Sequence, residues 1–98
     1  MFRTDAAAAY AREDAANNMQ TFVLVNATRF SDGLVPWLTS TVPITLQVTY
    51  AGNTLAVTLP RAPIAQARIY APTSTRVTVN GTIVGYKREG VSVTITVP

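Results

Sequence analysis

Apolar and polar residues alternate along much of this chain. In Ile44-Thr45-Leu46-Gln47-Val48-Thr49-Tyr50 every second residue is apolar, and Val91-Ser92-Val93-Thr94-Ile95-Thr96-Val97 repeats the pattern. A period of two marks a strand with one buried face. The polar positions are unusual. From Gly33 to Pro60, 28 consecutive residues include no Asp, Glu, Lys, Arg or His. Thr and Gln stand where a solvated sheet face normally carries charge, so this face is either neutral and wet or covered by a partner.

The same reading predicts about seven strands after residue 20. Thr21–Ala27 is an apolar run suited to a central strand buried on both faces. Ser31-Asp32-Gly33 reads as a turn, and Leu34–Thr39, interrupted by Pro36, as an edge or irregular segment. Pro43–Tyr50 and Thr54–Leu59 form a hairpin through Ala51-Gly52-Asn53. Pro60-Arg61-Ala62-Pro63 is a rigid corner where the chain changes sheet, followed by a strand at Ala65–Tyr70 and a loop at 71–74. Arg76–Val79 and Thr82–Lys87 flank Asn80-Gly81, the pair that suits a type I′ turn. Gly85, inside that second strand, suggests a bulge or a close backbone approach. Arg88-Glu89-Gly90 turns the chain into a last strand at Val91–Val97. Short strands with regular turn signals predict an all-β fold, an Ig-like or jelly-roll-like sandwich or a small barrel.

Residues 1–20 differ. They are rich in Ala and charge, and they read as a helical or extended N-terminal arm ahead of a β-sandwich domain at 21–98. In the helical form Thr4 or Asp5 would cap it, Ala6 to Ala16 would propagate it and Asn17-Asn18 would stop it. Its large apolar side chains are few: Phe2, Tyr10 and Met19. An isolated helix of this length is marginal in water, so the arm needs a surface to dock on.

Composition narrows the chemistry. The chain holds 15 Thr, 14 Ala and 12 Val, and its charged fraction of 13% is about half the ~25% usual in soluble domains. It has neither Cys nor His, which excludes disulfides, thiolate metal sites, cysteine nucleophiles and histidine triads. Neither a cofactor nor a metal site is expected. The start of the chain lacks the apolar core of an export signal, and no apolar run reaches membrane-spanning length. The net charge of +3 divides into −1 over residues 1–32 and +4 over residues 33–98, with the cations spread singly along the sequence. A nucleic-acid footprint asks for clustered cations, so no sequence-specific nucleic acid is expected as partner.

No constellation of reactive groups emerges. Glu13 and Asp14 are neighbours, and Asp32 and Glu89 lie in turn-like sequence, so no two carboxylates are set to converge. The five glycines form no phosphate-cradling loop. Trp37, the only tryptophan, is either a core anchor or a contact hot spot. The four tyrosines, at 10, 50, 70 and 86, show no spacing that would build a sugar-stacking platform.

Two resemblances bear on function. Pro72, Arg76-Val77-Thr78-Val79-Asn80-Gly81, Val84, Lys87-Arg88-Glu89-Gly90 and Val93-Thr94-Ile95-Thr96-Val97-Pro98 resemble the closing hairpins of the accessory β-sandwich domains of glycoside hydrolases and polysaccharide lyases. That implies a sandwich ending without catalysis. The whole chain, an arm followed by a Cys-free Thr/Val/Ala-rich β domain, is similar in layout to small bacteriophage virion proteins of the capsid decoration type. That resemblance implies a non-enzymatic protein of the virion that bridges shell subunits, partnered by capsid or tail proteins and by copies of itself, with no membrane contact. The contact candidates are Phe2, Tyr10, Met19, Leu34, Val35 and Trp37. The alternative is a carbohydrate-binding accessory module using an exposed aromatic.

Overall fold

A computed structural model describes residues 2–13, 19–32, 35–59 and 65–97. The protein is all-β, and its strands form one sheet that curls on itself into a half-barrel, a small relative of the sandwiches and barrels expected from the sequence. The strands are β1 (Phe2–Thr4), β2 (Ala8–Glu13), β3 (Met19–Asp32), β4 (Val35–Ala51), β5 (Thr54–Thr58), β6 (Ala65–Tyr70), β7 (Arg76–Val79), β8 (Thr82–Ile83), β9 (Lys87–Glu89) and β10 (Ser92–Val97).

The long antiparallel pair β3–β4 is the spine, and each end of it has its own neighbours. At one end β2 pairs with residues 19–25 of β3, and β5 with residues 47–51 of β4. At the other end β1 pairs with residues 30–32 of β3, and β6 with residues 38–40 of β4. Two wings result. The β2–β8 wing runs β2-β3-β4-β5-β7-β8, and the β1–β9 wing runs β1-β3-β4-β6-β10-β9.

Bulges in the spine make the bend. The register of β3 against β4 shifts between Leu24 and Ala27, between Ala27 and Arg29, and between Phe30 and Ser31. A bulge inserts a residue on one strand and coils the sheet. Each shift also resets the alternation, so Phe22, Leu24, Ala27 and Phe30 all turn inward despite their uneven spacing. Asn26 reaches a φ of 53° in this stretch, a left-handed conformation that Asn tolerates. Residues 40–43 of β4 fall in the largest shift, and there the Ser40 hydroxyl donates to the Val42 carbonyl at 2.7 Å. Pro43, which has no N–H to offer a ladder, sits in this break.

The curl brings the inner faces together. The rings of Phe22 and Phe30, from opposite wings, lie 5.0 Å apart, and Leu24, Leu38, Leu46, Leu55, Ile69, Val77, Val93 and Ile95 close the core around them. Each such side chain contributes about 1.5–3 kcal/mol through burial.

Several expectations are corrected. Of the two forms offered for the N-terminal arm, residues 2–4 and 8–13 take the extended one rather than the helical one. Thr4 and Asp5 do not cap a helix. The Thr4 hydroxyl donates to the Arg29 carbonyl at 2.6 Å, and the Asp5 carboxylate accepts from the Thr28 amide at 2.8 Å, the Arg29 amide at 3.1 Å and the Thr28 hydroxyl. Helix propensity is a weak preference, and pairing along β3 overrides it. The proposed stop at Asn17-Asn18 and the corner at 60–63 lie outside the described residues, although the chain does pass from one wing to the other between β5 and β6. Leu34–Thr39 is no separate edge. From Val35 it belongs to β4, and Leu38 is paired on both sides, to Phe30 and Ile69. Ser31 and Asp32 end β3 rather than forming a turn. β3 is central, but only one face is fully buried, with Thr21, Val23 and Val25 half-buried on the other. The strand after Asn80-Gly81 ends at Ile83, so Gly85 lies in irregular chain and marks no bulge.

Candidate functional site

Cross-strand register assigns residues to faces, because directly opposed side chains project to the same side. On the outer face of the β2–β8 wing one row runs Tyr10, Val23, Gln47, Thr58. The next runs Arg12, Thr21, Thr49, Ala56, Thr78, Ile83. Apart from Arg12 these positions are uncharged. Tyr10 and Ile83, 57% and 66% exposed, stand at opposite edges of the face. Some of its hydroxyls are already engaged. Thr21 Oγ1 donates to the Val48 carbonyl at 2.9 Å and lies 3.3 Å from Thr49 Oγ1, while Thr45 Oγ1 accepts from the Asn26 amide at 3.1 Å. A hydroxyl bonded within its own sheet loses less when a partner displaces water from it. Part of the charge-free stretch of the sequence thus becomes a neutral surface whose engaged hydroxyls lose less on dehydration.

The outer face of the β1–β9 wing is polar and charged. It carries a shallow cleft of about 260 Å³ lined by Thr39, Ser40, Thr41, Gln66, Arg68, Glu89 and Thr94. Arg68 Nη2 and Glu89 Oε2 lie 3.5 Å apart on its wall. The nearby Arg88 faces the other way. Its guanidinium donates to the Ala71 carbonyl at 3.0 Å and to the Ser74 carbonyl, tying β9 to the loop at 71–74.

An aromatic wedge closes one end of the half-barrel. The register shift between Phe30 and Ser31 leaves Trp37 as the extra residue of β4. Its ring meets Tyr50 at 5.9 Å and Tyr70 at 5.0 Å, both edge to face. The Tyr50 hydroxyl donates to the Tyr70 carbonyl at 2.7 Å, linking β4 of one wing to β6 of the other. Burial, with Tyr70 nearby, pushes the Tyr50 phenol well above the ordinary tyrosine range, so this donor stays protonated. Trp37 Nε1 is buried and finds no acceptor among the described residues.

The six contact candidates do not converge. Tyr10 is exposed on the neutral face. Met19 is 6% exposed and belongs to the core, so in this fold it offers little surface to a partner. Val35 is half-buried opposite Asp32, and Trp37 is half-buried in the wedge, at the other wing from Tyr10. Phe2 lies on β1, but its side chain is outside the described residues, as is Leu34. Sequence reading missed Ile83, because the hairpin strand that holds it was drawn too long. It also missed the grouping of cations on the second wing, which only strand order creates. No group of three Asp, Glu, His or Cys that could hold a metal occurs among the described residues. Asp5, with three hydrogen-bond donors, is the acid whose environment is most altered, and these bonds hold its pKa at about 2.

Comparison with known proteins gives no assignment: no protein-family model matches the chain, and no curated protein matches it.

Proposed function

We propose that this protein is a non-enzymatic assembly module, a capsid decoration protein of a virion that docks on shell subunits and on its own copies through the neutral face of the β2–β8 wing. The observation carrying this reading is that face: two cross-strand rows of Tyr, Val, Thr, Gln, Ala and Ile with one charge between them, flanked by two exposed apolar side chains. Charged residues are depleted from the centres of protein interfaces, and Tyr is enriched there. Weak contacts of this kind become strong when many copies are held on one lattice. Of the two N-terminal strands, β2 belongs to this surface and supplies Tyr10.

Solution mass by light scattering over a range of concentrations tests the reading. Full-length protein is expected to form a trimer or larger assembly. Thr49→Lys, at the middle of the neutral face, is expected to return it to monomer. A monomer at every concentration, or an assembly indifferent to Thr49→Lys, would sink it.

The carbohydrate-module reading, which asked for an exposed aromatic, keeps Tyr10 as a candidate but not Trp37. Trp37 is half-buried and engaged by two tyrosines, which leaves no flat exposed tryptophan for a sugar ring.

A further inference from the structure

Cations that are far apart in sequence fall into one line on the β1–β9 wing. Arg29 on β3 is opposite Thr39 on β4, Thr39 opposite Arg68 on β6, Arg68 opposite Thr94 on β10, and Thr94 opposite Lys87 on β9. Thr39, Arg68 and Thr94 alternate with buried neighbours on their strands, Lys87 takes its face from its pairing with Thr94, and Arg29, Arg68 and Lys87 are exposed. Neighbouring strands are about 4.8 Å apart, so the three cations repeat every two strands, at about 10 Å. Threonine hydroxyls fill the intervals. Arg3, opposite Ser31, adds a fourth cation beside Arg29. Two carboxylates lie close by. Asp5 is taken up by the Thr28 and Arg29 amides, and Glu89 shares the cleft with Arg68.

We propose that this face binds a linear acidic polysaccharide, one with a carboxylate on every second sugar. The face offers sparse positive charge at even spacing, with hydroxyl, amide and carboxylate groups between. Such a polymer repeats its charge once per disaccharide and carries hydroxyls between the charges. Arg68 and Lys87 take successive carboxylates. Glu89, Gln66, Thr39 and Thr94 accept from or donate to the intervening sugar hydroxyls, and the cleft they line gives the chain a track. Arg68 and Glu89 remain 52% and 41% exposed, so both can reach a ligand without leaving their pairing. A single nucleic-acid strand fits less well. It carries a charge at every nucleotide, whereas this row offers one cation to every second strand with threonine hydroxyls between. The surface is separate from the neutral face, so either proposal can fail alone.

The test is a titration of the isotope-labelled full chain, followed by NMR, with a hyaluronan oligosaccharide, a neutral chitin oligosaccharide and an oligothymidylate. Hyaluronan is expected to shift the amides of Thr39, Arg68, Lys87, Glu89 and Thr94, and the neutral chain to shift none. Arg68→Gln should weaken hyaluronan binding about tenfold, the scale of one charge-assisted hydrogen bond. Lys87→Gln should weaken it less, and Thr49→Lys on the other wing not at all. An absence of shifts, equal binding of the neutral oligosaccharide, or indifference to both Arg68→Gln and Lys87→Gln would overturn the proposal. Preference for oligothymidylate would also overturn it, and would assign the row to nucleic acid.

Discussion

The two wings share a spine and a core, yet their outer faces are opposites. The β2–β8 wing shows Thr, Val, Gln and Ala, with Arg12 on its edge strand β2 and Arg76 at the start of β7. The β1–β9 wing shows Arg3, Arg29, Arg68 and Lys87. β4 serves both wings and has no charge anywhere along its length. The difference therefore comes from what pairs beside it. Thr54–Thr58 of β5 continues the neutral surface, while Arg68 of β6 interrupts it. Surface character in this molecule is set by strand order rather than by local composition, and one strand can sit between two unlike surfaces without contributing charge to either.

That comparison holds only if the wings stand or fall as one body. Phe30→Ala removes a ring that meets Phe22 across the core, and should cost about 3–5 kcal/mol. Urea unfolding followed by Trp37 fluorescence and by far-ultraviolet circular dichroism should then show one coincident transition. Separate transitions would make the wings independent units. Tyr50→Phe cuts a smaller link, leaving the Tyr70 carbonyl without its donor at a cost of about 1–2 kcal/mol. It should act at alkaline pH as well. The folded Tyr50 phenol is raised above its ordinary 10.0, so its contribution is complete below that pH and fades as pH rises beyond it. The variant should show a flatter decline of stability above pH 10.0, read from urea midpoints.

Asp5→Asn probes the acid side, where β1 and β2 are tied to the bend of β3. The folded carboxyl lies at about 2 against an ordinary 3.8, so its contribution is present above 3.8 and is lost as pH falls towards 2. The wild-type urea midpoint should drop over that interval, and the variant's should drop less. The smallest effect on stability is expected of Thr49→Lys, within about 0.5 kcal/mol because the position is on the outer face. A large loss of stability there would show that the neutral surface is packed within the protein itself.

Much of the fold was legible where local chemistry decides it. Asn80-Gly81 announced a hairpin, and both residues adopt positive φ, 52° and 82°, with Asn80 Oδ1 also accepting from the Leu59 amide at 2.8 Å. Gly52, at φ 59°, turns β4 into β5 where the sequence placed the hairpin. The sequence leaves the N-terminal segment open between helical and extended forms because alanine reports helix propensity and says nothing of an available edge. Ala6 and Ala11 in fact pack against the core from extended chain. Strand limits in β3 and β4 were misjudged because bulges break the period that reveals a strand. The neutral face was half visible, as a stretch without charge. The row of cations was not, because nothing in the sequence says that residues 29, 68 and 87 are neighbours.

The order in which the chain visits the wings constrains how it reaches this state. It leaves β5, crosses to lay down β6, then returns so that β7 pairs parallel to β5, and crosses again for β9 and β10. Neither wing can be completed by a continuous piece of chain. Contact order is therefore high, and loop-closure entropy must be met before most pairings can form. The protein should refold in milliseconds to seconds, like other β-sandwiches, in a single exponential phase. A ribosome-bound chain should remain unstructured until its last strand has emerged, because β10 is the link that joins β9 to β6.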